Sequence, residues 1–255
     1  MANLIYLHNQ RTPLGWYFLK RYPGQFVQDV RFCDTVLLLP PSTSNEDVLV
    51  KELNAIDQLL WLTKLRMLVN PDVKPLRWIL LSPLEVYSSN EDWLNAPEGA
   101  LDPMQLEKDW YRYGELNPLA RPWLEREWAL LRFPWRFDDS IFCLRMGALV
   151  GDRAFQYERQ VHPYPGVVAQ VGSGQQLVDP LPVRVLMYLV NRFLTVPPWY
   201  SGVYNITGGT PMPYRHWLKQ NYGEGRWVES RWLGRGLNPR HLTLSTKKVE
   251  RLLLL

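Results

Sequence analysis

Residues 34–41 read Asp-Thr-Val-Leu-Leu-Leu-Pro-Pro. Thr35, Val36 and three leucines run on without polar alternation until Pro40 and Pro41 stop them. Such a run predicts a strand buried on both faces, as in a parallel sheet covered by helices. Two later stretches repeat the pattern: Arg77–Ser82, reading Arg-Trp-Ile-Leu-Leu-Ser, and Ile141–Met146. Upstream, the apolar Leu4–His8 predicts a first strand, followed by the polar turn Asn9–Pro13. Leu14–Tyr22 predicts a helix ended by Pro23 and Gly24, and Phe26–Val30 a short strand. Downstream, Ser44 and Asp47 predict a capping box, and Leu49, Leu53, Ile56 and Leu60 recur at helical spacing. Pro122–Leu131 predicts another helix. Strands alternating with helices imply right-handed crossovers and a doubly wound α/β sheet.

Past Gly151, proline, glycine and short strand patterns thicken, predicting a smaller lobe. The expected division is residues 1–150 for the sheet domain and 151–255 for the lobe. That lobe is expected to hold a long apolar helix at Pro182–Leu194, a strand at Gly202–Ile206 and a closing helix at Ser245–Leu254.

Composition narrows the function classes. The 255 residues are 46% hydrophobic and 21% charged, enough to bury a core and unlike a disordered or collagenous chain. The net charge of +4 is too mild to imply nucleic acid. Cys33 and Cys143 both lie in apolar runs, the pattern of buried reduced thiols. No apolar run approaches the roughly 20 residues of a membrane span. Met1–Tyr6 lacks a signal-peptide start, so a cytoplasmic location is expected. His8, His162, His216 and His241 share no metal-ligand spacing with one another or with a cysteine, so no metal is expected.

Several segments, in order, resemble the extended short-chain dehydrogenase/reductase family, in its NAD-dependent epimerase/dehydratase and sugar-nucleotide reductase branch. Residues 34–41 look like that family's Asp-x-Val-x-His-x-Ala-Ala strand, and Asn54 matches the asparagine of the next helix. Leu81-Ser-Pro-Leu-Glu-Val-Tyr87 is similar to the strand ending Ser-Ser-x-x-Val-Tyr. Leu144–Gly151, Val171–Gln175 and Gly202–Gly209 are similar to segments leading into and through the substrate lobe. The resemblance implies a Rossmann-like doubly wound parallel sheet with a small C-terminal substrate-type lobe.

The departures bear on function. Where the family has Gly-x-x-Gly-x-x-Gly, this chain has Asn9, Thr12 and Gly15. The family's glycines form the tight turn, admit the pyrophosphate and seat the helix. Only the packing glycine remains, Thr12 adds a side chain, and Pro13 removes a donor. The resemblance implies Asn9, Thr12 and Gly15 as degenerate cofactor-binding positions; Arg11 is added as a phosphate partner, against its reading as an exposed turn arginine. Only 18 residues separate Gly15 from Asp34, so the sheet is shortened on the adenosine side. Asp29 is the nearest acidic residue for a ribose.

The family's triad is also missing. Pro83 falls at the Ser/Thr position with Ser82 one residue off, Leu119 at the tyrosine and Trp123 at the lysine. No tyrosine has a lysine four residues later, so no phenol has that cationic neighbour to lower its pKa. No catalytic residue is therefore assigned, and no cofactor is expected. Trp123 is expected to fill the space left by the nicotinamide. Asp109, Glu115, Glu125 and Glu127 read as solvated faces, and Asp138-Asp139 as a lead into the next strand.

The chain has 12 tryptophans. Trp217, Trp227 and Trp232 sit among Arg215, Lys219, Arg226, Arg231, Arg235 and Arg240. Such residues fill space beside a shortened sheet, form a protein interface or stack on single-stranded nucleic acid. Balanced charge disfavours the last, and the candidate partner-binding residues are Trp217, Arg226, Trp227, Arg231 and Trp232. The expected function is a non-catalytic pseudoenzyme acting as a binding, scaffold or assembly protein with a protein partner. The alternative is an NAD- or NADP-dependent oxidoreductase or epimerase acting on a nucleotide sugar through atypical residues.

Overall fold

The computed structural model describes residues 3–41, 46–70, 73–83, 86, 93–96, 121–133, 138–150, 167–170, 174–208, 210–222, 226–229 and 242–253. Among these, the backbone alone is described at 46, 49, 93–95, 167–170, 221–222, 226–229 and 242.

The first strand, β1 (Ile5–His8), leads through a tight turn into helix α1 (Pro13–Arg21). Thr12 caps α1, Pro13 sits where no amide donor is needed, and Lys20 and Arg21 face the negative end of the helix dipole. Next come β2 (Phe26–Val27), a 3-10 turn at Val30–Phe32, and β3 (Thr35–Leu38). Helix α2 (Glu46–Val69) and β4 (Arg77–Ser82) follow. β5 (Trp93–Ala96), helix α3 (Arg121–Arg132) and β6 (Ser140–Met146) complete this half. The expected Ser44 cap of α2 lies outside the described residues.

Later elements include β7 (Ala148–Val150), β8 (Val167–Gln170), β9 (Leu177–Val178) and β10 (Pro180–Pro182). Helix α4 (Val183–Phe193) and β11 (Gly202–Ile206) come next. The chain goes on through β12 (Met212–Pro213), α5 (Tyr214–Tyr222), β13 (Arg226–Glu229), β14 (Leu242–Leu244) and α6 (Lys247–Leu253).

Six strands form one sheet in the order β11-β6-β4-β3-β1-β2, every neighbouring pair parallel. β3 and β6 are buried at every position, as strands covered on both faces must be. One face packs Ile5, Leu7, Leu37, Ile79, Phe142 and Leu144 against α1, α4 and α6. The other packs Val36, Leu38, Trp78, Leu80 and Cys143 against Ile56, Leu59 and Leu60 of α2 and Leu130 of α3. Alternation along each strand produces the two faces. The strand order reverses at β1, with β2 on one side and β3 on the other, so a crevice is expected at their C-terminal ends.

One expected element is shorter than its sequence pattern. β2 stops at Val27 because Asp29 turns the chain: its carboxylate accepts from the Arg31 amide and caps the 3-10 turn. The later half of the chain also contributes to the main sheet. β11 is an edge strand hydrogen-bonded to β6, while α4 and α6 add Leu186, Phe193, Val249 and Leu252 to the main core. The short β12-β9-β14-β5, β10-β7 and β13-β8 pairings lie outside the main sheet, with Val178, Trp217 and Leu218 in a small cluster of their own.

Candidate functional site

The turn after β1 is built around Asn9. Its φ of 62° is the left-handed conformation in which asparagine replaces glycine at modest cost. The Asn9 side chain folds back, Nδ2 donating to Leu39 O at 2.9 Å and to both Glu52 oxygens at 3.1 Å. Thr12 Oγ1 donates to Asn9 O at 2.8 Å and accepts from Gly15 N at 3.1 Å. A Cβ on Gly15 would lie 2.5 Å from Gln10 O, so this glycine serves the close seating of α1 on its own turn. Arg11 is exposed at the tip.

Around this turn, several elements bring charge together. His8, at the end of β1, reaches α2: its Nε2 lies 3.0 Å from Glu52 Oε2. From α3, Arg126 Nη2 donates to Glu52 Oε1 at 2.8 Å and to Leu39 O at 3.1 Å. Burial alone would raise the Glu52 pKa, but His8, Arg126 and Asn9 outweigh it and hold the carboxyl below its ordinary range. Glu52 is therefore ionised, and His8 donates to it. Beside this cluster, Arg145 of β6 meets Glu127 of α3 in a two-pronged ion pair, Nε at 3.1 Å from both oxygens and Nη2 at 2.7 Å from Oε2. Both residues are fully buried, correcting the expectation that Glu127 lies on a solvated face.

Of the four candidate cofactor-binding residues, Asn9, Thr12 and Gly15 do come together, and Arg11 stands apart. Trp123 is buried, with the Arg126 guanidinium 5.3 Å from its ring centre. On the expected partner surface, Trp217 is 4% exposed and donates through Nε1 to Leu149 O at 2.9 Å. Its ring is core, stacked on Tyr214, which removes Trp217 from that surface. Arg226 and Trp227 lie on β13, whose side chains are not described; Arg231 and Trp232 lie outside the described residues. Sequence reasoning missed Glu52, Arg126 and Arg145 and read Glu127 otherwise. The available signal was Arg126-Glu127 on the apolar side of α3, flanked by Trp123, Leu124 and Leu130.

The residues present do not fit a dinucleotide at this turn. A pyrophosphate needs free amides at the start of the helix after β1. Here Thr12 occupies that place with its own hydroxyl and takes the Gly15 amide. On the ribose side, Asp29 is engaged by Arg31, Oδ2 to Nη2 at 2.6 Å and Oδ1 to Nε at 3.0 Å. Among the described residues, no group of three His, Cys, Asp or Glu side chains could hold a metal. No described helix is long and apolar enough to cross a membrane.

A sheet of six parallel strands whose order reverses at β1 is a doubly wound, Rossmann-like fold, shared with NAD-dependent sugar-nucleotide epimerases and dehydratases. Solved structures match it over nearly the whole chain. MoeE5, in complex with UDP-glucuronic acid and NAD, is 16% identical with a TM-score of 0.67, covering 98% of this chain and 92% of that one. The Helicobacter pylori ADP-L-glycero-D-manno-heptose-6-epimerase is 13% identical at a TM-score of 0.64, covering 98% and 90%. The UDP-glucose 4-epimerase of Thermotoga maritima is 14% identical at 0.60, covering 97% and 91%. At such identities the likeness establishes the fold. No protein-family model and no curated protein matches the sequence.

Proposed function

We propose that this chain is a non-catalytic protein on an epimerase/dehydratase scaffold, working as a binding or assembly partner without NAD or NADP. The carrying observation is the Thr12 hydroxyl capping the Gly15 amide where a pyrophosphate would rest. That no tyrosine has a lysine four residues later supports the same reading.

An exposed stripe on α2 supports a protein as the partner. Trp61, Leu65, Leu68 and Val69 follow one another along the last turns, each more than half exposed. Soluble monomers rarely show contiguous apolar patches beyond a few hundred Å², and larger ones mark interaction sites. With Trp217 in the core, α2 joins Arg226, Trp227, Arg231 and Trp232 as the candidate partner surface.

Calorimetry with NAD(H) and NADP(H) tests the first half, with no saturable binding expected in the micromolar range. Low-micromolar affinity for either nucleotide overturns the proposal in favour of the oxidoreductase alternative. For the second half, native mass spectrometry should detect a protein complex that Leu65→Glu with Trp61→Glu, or Arg226→Glu with Arg231→Glu, disrupts. A chain that stays monomeric and unaccompanied, or complexes untouched by both double variants, would count against a partner at these surfaces.

A further inference from the structure

The largest unmet hydrogen-bonding demand among the described residues lies at the end of β4. β3, β4 and β6 are consecutive in the sheet, and Ser82 is the register neighbour of Arg145. α3 reaches both sides of this strand end. Arg126 extends to Leu39 O just beyond β3, while Glu127 holds Arg145 on β6. Ser82 is therefore bracketed between the two contacts. Four polar atoms of these described residues are buried without a hydrogen-bond partner: Ser82 Oγ, Trp123 Nε1, and Nε and Nη1 of Arg126. All three residues are at least 97% buried.

Nearby carboxylates cannot meet this demand. Glu52 divides its oxygens among His8, Asn9 and Arg126 Nη2, and Glu127 is claimed by Arg145. Burying a donor without an acceptor is costly, most of all for a charged one. A chain with several such donors on adjacent elements is organised to receive an acceptor. The indole N–H and the guanidinium only donate, and the serine can, so the missing group is an oxygen acceptor. The planar, charged guanidinium favours a carboxylate.

We propose that Ser82, Trp123 and Arg126 form a buried site for a small carboxylate ligand. This site rests on the reading that the crevice does not take a dinucleotide, and it deepens that reading by naming a ligand class. Arg126 supplies the charge, and the indole N–H and serine hydroxyl fix the orientation.

The test is calorimetry on the full chain with sodium acetate, disodium succinate and inorganic phosphate, with sodium chloride at matched ionic strength as the control. One of the carboxylates should bind saturably at one site per chain. Trp123→Phe, which keeps the ring, and Ser82→Ala should each weaken it about 2- to 10-fold. No saturable carboxylate binding overturns the site, leaving ordered water as the acceptor. Equal affinity in both variants also overturns it, and tighter phosphate binding overturns the assignment to a carboxylate. NAD(H) titrated in the same buffer separates the two readings. Low-micromolar nucleotide binding overturns the proposed function, whereas missing carboxylate binding overturns this site alone.

Discussion

Glu52 is one described residue through which pH acts on this fold. Its folded pKa is held below the unfolded value despite burial, by His8, Arg126 and Asn9. A carboxyl with a depressed pKa contributes stability above the unfolded value of about 4.3, lost as pH falls toward the folded one. The melting temperature should therefore fall in acid below about pH 4.5. Glu52→Gln should flatten that slope while lowering stability at pH 7. A melting profile of Glu52→Gln as steep in acid as that of the parent chain would contradict the assignment. The two thiols make a separate prediction. Burial pushes Cys33 up to about 11 and raises Cys143 well above its ordinary value. The thiolate is the reactive form, so neither should be labelled by iodoacetamide at about pH 8 in the native protein, and both should react in denaturant.

At the scale of elements, the glycine after the first turn and the tryptophan of α3 do different work. An alanine at Gly15 would place its Cβ against the backbone carbonyls of Gln10 and Asn9, which cannot move without lifting α1. Gly15→Ala should cost about 1–3 kcal/mol in denaturant unfolding, as overpacking does. Trp123→Ala should cost about 3–5 kcal/mol, because a buried aromatic leaves a cavity. A neutral result would mean that the ring is not packed. The elements themselves were legible wherever one term dominated. Apolar runs cut off by proline or charge marked β3, β4 and β6, since burial on both faces leaves little room for polar residues. The site was far less legible. Its charges pair across long sequence separations, Glu52 with Arg126 and Glu127 with Arg145, and spacing along the chain carries no trace of such pairing. Trp217 misled because an arginine-rich neighbourhood resembles a surface, whereas its indole is satisfied by a carbonyl on β7.

On the whole-molecule scale, the sheet is assembled from segments far apart in the sequence. β6 gives one flank to β4 and the other to β11, which begins only at Gly202. α6 lays Val249 and Leu252 on the same core, and its Lys248 Nζ donates to Val203 O at 2.6 Å. A chain growing from the ribosome therefore leaves the outer flank of β6 unpaired until β11 emerges. Synthesis runs at roughly 5–20 residues per second, so a strand destined for full burial waits for several seconds with its edge open. Unpaired strand edges recruit other chains. Residues 1–150 expressed alone should aggregate, and adding residues 151–255 in trans during refolding should recover soluble protein. A soluble, cooperatively melting 1–150 fragment would contradict this. Nascent chains of this protein need protection at one edge, and the strand that ends the need is made late.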